Sequence, residues 1–430
     1  MIETANECTG SIKKKITFSK IICILTISFF FLILSGHYLS LCIPGIRTYI
    51  GVIFAFIMFV YAHTGHKLTC NDGKLKLFVL LSTISTFFSC VANFEFRSIH
   101  AYIGYISVLL IGYYLVRCFS FAYLRRAYTY LICFVAVVSL IGSLLWYIGV
   151  DVTLWGTITN VNGANYANDI IFTHNTDLYA AYRNYGLFWE PGVFATALII
   201  GMLLQIFEET PSLKVIGLLM LTVLTTQSAA GYILLLPTFG ALILRDRAIT
   251  IRSAIVRLIV ILFIMFIFVF WNNIAFILAE KMPWFATKVF SDTGIISINT
   301  ERTSSPLVCL DIFSRYPVFG SGLVGFNLEY QSTMGVYATE SLTSTTFYML
   351  ATFGILGSLY TIAWVYGVFN QRGISLTSRM LMLITIMLFL NKEPHSSMLI
   401  TWCLLFLLIN NDYSMVMFTD NKDNEVALYE

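Results

Sequence analysis

The chain has 430 residues, of which 58% are hydrophobic and 11% are charged, and its mean hydropathy is +0.80. A soluble domain covers its surface with charged side chains, so this composition excludes one. The formal net charge of +3 is too small to indicate a nucleic-acid partner. The composition therefore predicts an all-α integral membrane protein, formed as one polytopic domain over residues 1–430.

Apolar runs long enough to span a membrane recur along the whole chain. A span needs about 20 mostly apolar residues, and we count about twelve such runs by that criterion. They lie near residues 18–36, 46–62, 75–93, 99–118, 127–148, 188–207, 212–226, 230–245, 254–275, 343–368, 377–391 and 396–411. The seventh and eighth are short and meet at Gln227 to Gly231, which leaves open two short spans or a broken, re-entrant pair.

The basic residues predict the orientation, because Lys and Arg accumulate in cytoplasmic loops. With the N-terminus inside, most of the 26 Lys and Arg residues fall on the inner side. The outer minority comprises Arg47, Arg97, Arg183, Lys281, Lys288, Arg302, Arg315 and Lys392. Both termini are thus predicted to be cytoplasmic, with the first run as a retained anchor. Two long loops, near residues 149–187 and 276–342, are predicted outside, and any chemistry is expected there.

The cysteines and acidic residues do not form a metal-binding pattern. The nine cysteines lie mostly within or beside the predicted spans, where cysteine packs as a small apolar residue. The sequence contains no C-x-x-C pair and no D-x-D pair. It therefore predicts no zinc site and no structural disulfide, and we expect a site without a metal or cofactor.

Residues 183–192, which read RNYGLFWEPG, place a cation and an anion at the mouth of the sixth span. A charge near hydrocarbon costs about 2.5–3.5 kcal/mol on insertion scales, so such a pair indicates a functional site. Glu190 directly precedes Pro191, which suits the first turn of a helix. We expect the Glu190 carboxylate at the N-terminal end of that helix, where the helix dipole favours its ionised form.

The second long loop carries a similar charged segment followed by a helix. Residues 300–306 include Arg302, and Ser304 or Ser305 before Pro306 predicts a helix start. Tyr316 and the proline after it predict the helix end. One apolar stripe of this helix is expected to pack on the bundle, formed by Val308, Cys309, Ile312 and Phe313. Three glycines follow within residues 317–325 and permit tight turns and close ligand approach, although the segment lacks the lysine of a phosphate loop.

A third polar cluster, residues 391–395, lies between the last two apolar runs. His395 is a candidate base, since histidine titrates near neutral pH, and its other interpretation is a satisfied loop histidine. Lys392 either attracts an anionic headgroup or extends to the membrane interface. Four residues of the first long loop are candidates for sugar contact or interfacial anchoring, namely His174, Asp177, Tyr179 and Tyr182.

Three stretches resemble the polytopic O-antigen and capsule repeat-unit polymerases (Wzy type), a family distantly related to the O-antigen ligases. The first stretch is residues 183–192 with Phe194 and Ala195 after it. The second stretch runs over residues 302–322, from Arg302 through the helix to YPVFGSG, and the third stretch covers residues 344–357 and ends in TFGILG. The resemblance implies a membrane-embedded GT-C-like glycosyltransferase with short helices in its two outer loops.

The resemblance also implies an activity. Such an enzyme acts on undecaprenyl-pyrophosphate-linked oligosaccharide at the outer, periplasmic face of a bacterial inner membrane. It joins repeat units and releases undecaprenyl pyrophosphate, beside a chain-length regulator and a flippase. Neither a cofactor nor nucleic acid is implied.

The resemblance carries roles over to five residues. Arg183 and Arg302 would grip pyrophosphate through the planar guanidinium, with Arg315 as a third candidate. Glu190 and His395 would be the candidate bases. The other interpretation of each arginine is a pair with a neighbouring carboxylate, and that of Glu190 is a partner that orients Arg183.

Two other functions fit the same outline. An O-antigen ligase would use a similar donor and transfer polymer to lipid A core, but the Glu-Pro-Gly of residues 190–192 favours the polymerase. A polysaccharide flippase or transporter is the hypothesis without catalysis. The chain shows no convincing internal repeat, and its charges lie in unequal outer loops, which disfavours a transporter.

Overall fold

A computed structural model describes residues 18–64, 73–150, 153, 155–160, 163–169, 171–176, 183–245, 300–334, 342, 344–392 and 394–410. Its helices are α1 (Phe18–Leu34), α2 (Leu39–Cys42), α3 (Ile46–His63), α4 (Gly73–Ala92), α5 (Ile99–Cys118), α6 (Phe121–Tyr147), α7 (Pro191–Leu204), α8 (Leu213–Thr225), α9 (Ala229–Ile243), α10 (Thr300–Arg315), α11 (Leu323–Met334), α12 (Thr345–Phe353), α13 (Ser358–Phe369), α14 (Leu376–Leu390) and α15 (Leu399–Asn410). Short 3-10 helices lie at Phe96–Ser98, Gln205–Phe207 and Gly354–Gly357.

The helices support a membrane-embedded protein. Within the described ranges, five segments are long and apolar enough to cross a membrane: Ile46–His63, Gly73–Ala92, Phe96–Cys118, Phe121–Tyr147 and Thr345–Phe369. The other predicted runs in these ranges correspond to shorter apolar helices. The run predicted at 254–275 lies outside the described residues, as do residues 276–299 and 335–341 of the second long loop. The all-α membrane class is thus supported, while the count of twelve spans stays a prediction.

The centre and the periphery of the bundle differ in exposure. Every residue of α7 is buried, and so is every residue of α15 except the last. Large apolar side chains on α3 and α4 are exposed instead, for example Phe56 at 67% and Phe87 at 61%. Exposed apolar side chains on a helix whose backbone hydrogen bonds are internal suit contact with lipid.

The two short helices α8 and α9 meet at a tight turn over residues 226–228. Gln227 adopts a left-handed backbone with φ +48°, which reverses the chain. The Ser228 side chain then caps α9 by accepting a hydrogen bond from the Gly231 N–H. The structure describes two separate helices on either side of this turn, where the sequence leaves open two short spans or a broken, re-entrant pair.

Contacts between helix termini divide the bundle into two ends. At one end, Arg125 forms an ion pair of 2.8 Å with Glu208, and Arg245 donates to the Glu208 carbonyl. At the other end, hydrogen bonds join residues 35–47 to residues 183–190 and 391–398. Residues 183–190 bond to 225–228, and residues 391–398 bond to 344–345. Residues 93–98 bond to 316–323, and Leu323 and Arg47 line one cavity. We call this second end the motif end, because all three stretches reach it. The predicted topology places it outside.

The first long loop contains a hairpin that an all-α prediction omits. Strands β1 (Thr157–Thr159) and β2 (Asn165–Ala167) pair antiparallel, with Ile158 opposite Tyr166. Each strand has only three residues, which is too short for an alternating pattern to be recognised in the sequence. The hairpin brings Tyr166 into a cluster with Tyr38 and Tyr185.

The start predicted for α10 was wrong. The helix includes Thr300 and continues through Pro306, whereas Ser304 or Ser305 was expected to cap it. A proline within a helix removes one backbone hydrogen bond, and the preceding turn here remains helical. Ser305 is fully buried inside the helix. The predicted end at Arg315 is confirmed, and the apolar stripe packs against α11 and α12 as expected.

Candidate functional site

The first stretch has an irregular backbone at the motif end, and hydrogen bonds attach it to the elements on both sides. The Asn184 amide donates to Ser139 Oγ on α6 at 3.1 Å and to Thr225 Oγ1 on α8 at 2.9 Å. Further along, the Tyr38 N–H donates to the Leu187 carbonyl at 2.9 Å. These bonds fix the backbone of residues 184–189 against three parts of the bundle.

The two charged residues of this stretch lie at different places. Arg183 is half-buried, and its Nε donates to the Thr226 carbonyl in the α8–α9 turn at 3.4 Å. Glu190 is the N-cap residue of α7, with an extended backbone and Pro191 after it, as predicted. Its side chain makes no capping bond to its own helix, so the carboxylate is directed elsewhere.

Glu190 lies close to the tyrosine cluster of the first long loop. The Tyr166 hydroxyl donates to the Trp189 carbonyl at 2.7 Å. Burial, the neighbouring Tyr185 and the Glu190 charge raise the pKa of the Tyr166 hydroxyl. Tyr166 therefore stays protonated as a donor at neutral pH, and the role of Glu190 as a base stays a prediction.

The second and third stretches pack backbone against backbone. The Ser321 N–H donates to the Ala351 carbonyl at 2.9 Å, and the Gly322 N–H donates to the Thr352 carbonyl at 3.1 Å. Gly320 has φ +71°, and a Cβ there would lie 2.2 Å from the Thr352 carbonyl carbon. The glycines thus allow two chain segments to approach each other, rather than a phosphate group.

The N-terminus of α11, which follows these glycines, is occupied by a carboxylate of the protein itself. Glu95 accepts hydrogen bonds from the Val324 N–H at 3.0 Å and the Gly325 N–H at 2.6 Å. The Tyr102 hydroxyl donates to the same carboxylate at 2.5 Å. A helix N-terminus favours a negative charge, and Glu95 supplies it here. Sequence reasoning missed Glu95, although an acid in a short loop between two spans was a usable signal.

Removing the Glu95 carboxylate is expected to loosen α11. Glu95→Ala should lower the free energy of unfolding by about 2 kcal/mol, because hydrogen bonds to a charged group contribute about 1.5–3 kcal/mol each and Glu95 is partly solvated. Hydrogen exchange of the Val324 and Gly325 amides should accelerate. Glu329→Ala on the exposed side of the same helix is the control, and unchanged exchange in Glu95→Ala would contradict this role.

A cavity of about 370 Å³ opens at the motif end, between α3, α5, α11 and the residues before α15. Its lining comprises Ser40, Gly45, Arg47, Thr48, Ala101, Gly104, Tyr105, Val108, Leu323, Asn327, Tyr348, Ser396 and Ser397. Arg47 is the one charged residue among them. Its Nη2 donates to the carbonyl of Ser397 at 2.5 Å and to the Ser397 hydroxyl at 2.8 Å.

Residues of the first and third stretches, and the residue directly after the second, lie at this cavity. Trp189 of the first stretch lies beside Arg47, with the guanidinium carbon 5.8 Å from the ring centroid. Leu323, directly after the second stretch, and Tyr348 of the third stretch line the wall. Segments far apart in sequence therefore meet near one cavity, whose lining is part polar and part apolar.

Of the predicted arginines, Arg183 and Arg315 donate to different groups of the protein. Arg315 is partly exposed and pairs with Glu329 at 2.5 Å and with Asp311 at 3.1 Å. The hydrogen bond to Glu329 raises the pKa of Arg315, and the same bond lowers the pKa of Glu329. Arg315 therefore pairs with neighbouring carboxylates, which is the alternative to pyrophosphate binding given for each arginine above. Arg302 lies in the first turns of α10, and its side chain lies outside the described atoms.

His395 is enclosed beside the cavity rather than exposed in it. The backbone N–H of His395 donates to Thr345 Oγ1 at 2.8 Å, and the ring Nδ1 lies 3.1 Å from Thr401 Oγ1. The residue is 1% exposed. Burial lowers the pKa of His395 to about 3. The ring is therefore neutral at physiological pH, and the two residues after it, Ser396 and Ser397, reach the cavity instead.

The buried neutral ring predicts a pH effect on stability. The folded protein keeps His395 neutral down to a pKa of about 3, whereas the unfolded chain takes up the proton near pH 6.5. Stability from this group is thus complete above pH 6.5 and falls as the pH drops towards 3. His395→Gln should flatten the decline of Tm between pH 7 and 5, and the exposed His100→Gln should not. Parallel declines in all three proteins would contradict this.

The remaining candidates of the first long loop divide between buried and undescribed residues. His174 is buried against Trp146, with 4.0 Å between ring centroids, so it does not present a surface for sugar. Asp177, Tyr179 and Tyr182 lie outside the described residues. Lys392 lies in the turn after α14 and is half-buried.

Arg47 was also missed as a site residue, since sequence reasoning named it only among the basic residues on the outer side. It lies in the first turn of a predicted span, and the rule that a charge near hydrocarbon indicates a functional site applies to it equally. Comparison of the chain with models of known protein families, with curated proteins and with solved structures finds no match.

Proposed function

We propose that the protein is a polysaccharide polymerase, which joins undecaprenyl-pyrophosphate-linked repeat units into O-antigen or capsule chains at the outer face of a bacterial inner membrane. One observation carries this proposal. Trp189 of the first stretch and Tyr348 of the third stretch lie at one cavity, which Leu323, the residue after the second stretch, also lines, at one end of a helical bundle. The stretches are far apart in sequence and lie on different elements, so their proximity follows from the tertiary fold.

Residues of the first two stretches suit the chemistry of the transfer. A hydroxyl of the incoming repeat unit attacks the anomeric carbon of the growing chain and loses its proton to a base. The bond from that carbon to the pyrophosphate oxygen breaks, and undecaprenyl pyrophosphate leaves. Arg183 and Arg302 would neutralise the leaving group from the two loops, since a guanidinium binds phosphate oxygens in a bidentate manner. Glu190, at the N-terminus of α7, is the proposed base.

The membrane setting fits a lipid-linked substrate. Apolar helices surround the cavity, so a polyprenyl tail can stay in the bilayer while the sugars extend beyond it. A flippase would deliver the repeat units to this face, and a chain-length regulator would act on the finished polymer. No cofactor enters the proposed reaction.

Deletion of the gene tests this function against its alternatives. A polymerase mutant is expected to carry a single repeat unit on its lipid A core. Bare core with long polymer on undecaprenyl would instead identify a ligase. Repeat units held on the cytoplasmic side would identify a flippase. Either of the last two results overturns the proposal, and gel analysis of surface lipopolysaccharide together with extracted lipid-linked sugars distinguishes them.

A further inference from the structure

Arg47 brings a positive charge to the cavity at the motif end, where the described part of the chain offers it no acidic partner. No described acidic residue contacts it, and its hydrogen bonds go to the two oxygens of Ser397 from one nitrogen. A guanidinium has five N–H donors, so several remain for another acceptor. Glu95 does not line the cavity, and its carboxylate is already engaged at the N-terminus of α11.

The other lining residues suit a sugar. Hydroxyl and amide side chains line the cavity together with Arg47, from Ser40, Thr48, Ser396, Asn327 and Tyr348. Small residues create the open space, and a Cβ on Gly104 would lie 2.8 Å from Thr48 Oγ1. The volume of about 370 Å³ falls within the range of small-molecule sites.

We propose that this cavity binds a sugar that carries an anionic group, either a carboxylate or a phosphate. Arg47 pairs with the anion, and the neighbouring hydroxyl and amide groups bind the sugar hydroxyls. Guanidinium pairs with carboxylate and phosphate are charge-assisted and bidentate, which gives the site its selectivity over neutral sugars. That the sugar belongs to a lipid-linked repeat unit rests on the proposed function, whereas the preference for anionic sugars does not.

The competing account is that Arg47 ties α3 to the segment before α15 through Ser397. The two accounts differ in which variant loses the ligand. Arg47→Gln removes the charge, whereas Ser397→Ala removes one of the two acceptors and keeps both the charge and the Ser397 carbonyl. Ala101→Phe fills the cavity and leaves the charge in place, so it tests the site independently should Arg47→Gln fold poorly.

Binding to the full-length protein in nanodiscs tests the proposal, read out as the shift of Tm at constant ionic strength. The probes are glucuronate, glucose 1-phosphate, glucose and inorganic phosphate. We expect at least one anionic sugar to bind about tenfold more tightly than glucose, because hydrogen bonds between charged partners are stronger than those between neutral groups. A response to glucuronate alone assigns a carboxylate sugar, and a response to glucose 1-phosphate alone assigns a sugar phosphate.

The variants give the decisive contrast. Arg47→Gln and Ala101→Phe should each lose the preference, and Ser397→Ala should keep it. The proposal is overturned if neither anionic sugar binds, if glucose binds equally well, if inorganic phosphate binds as tightly as glucose 1-phosphate, or if folded Arg47→Gln keeps the preference. The failure of this panel would leave the deletion phenotype unchanged, so it is separable from a failure of the proposed function.

Discussion

Replacing Gly320 with alanine is expected to destabilise the protein by about 3 kcal/mol or more. Gly320 has φ +71°, a left-handed conformation that costs an alanine about 1–2 kcal/mol. Its Cβ would also lie 2.2 Å from the Thr352 carbonyl carbon, and backbone cannot rotate away as a side chain can. Forcing the second and third stretches apart adds about 1–3 kcal/mol. The measurement is the free energy of unfolding in detergent micelles.

Gly149→Ala is the matched control for this substitution. Gly149 has φ +82°, but no heavy atom lies within 4 Å of a Cβ built on it. It therefore carries the cost of the left-handed backbone without the steric contact. The difference between the two variants isolates the close approach of the stretches, and equal unfolding free energies would show that this packing does not stabilise the motif end.

Replacing Arg302 is expected to abolish long polysaccharide chains while the protein remains in the membrane. Arg302→Ala removes the proposed cation for the leaving pyrophosphate, and the rate should fall about 100-fold or more, as when a donor to a developing charge is lost. Arg302→Lys keeps the charge but not the planar fork, so it should also fail. Chain-length ladders on gels report the result.

Arg315→Ala is the control for Arg302, because both arginines lie on α10. Arg315 pairs with Asp311 and Glu329 on an exposed surface, and such pairs contribute about 0–1 kcal/mol to stability. Chain lengths close to those of the wild type are expected for it. Wild-type ladders in both Arg302 variants would rule out this assignment, whichever way Arg315→Ala behaves.

Local signals in the sequence located several elements of the fold. The Glu-Pro pair at residues 190–191 predicted the start of α7, and Tyr316 predicted the end of α10. The break at Gln227 was also found. These features depend on a few adjacent residues, namely a proline, a capping side chain or an interrupted apolar run. A short sequence pattern is therefore enough to predict them.

The candidate site was less accessible to sequence reasoning, because its contacts join distant segments. Arg47 and Ser397 are 350 positions apart, and Glu95 and Gly325 are 230 apart. No local pattern encodes such pairs. The glycines of residues 320–322 were recognised as sites of close approach, but whether a ligand or another chain segment approaches them depends on tertiary packing.

Reconstituted polymerisation tests the central claim most directly. The purified protein is incorporated into liposomes with undecaprenyl-pyrophosphate-linked repeat units, and products are resolved by mass spectrometry. We predict a ladder of oligomers on undecaprenyl pyrophosphate, with one undecaprenyl pyrophosphate released for each unit added and no ladder for Arg302→Lys. Products limited to a single repeat unit, with the wild-type protein folded and its substrates intact, would contradict the polymerase function.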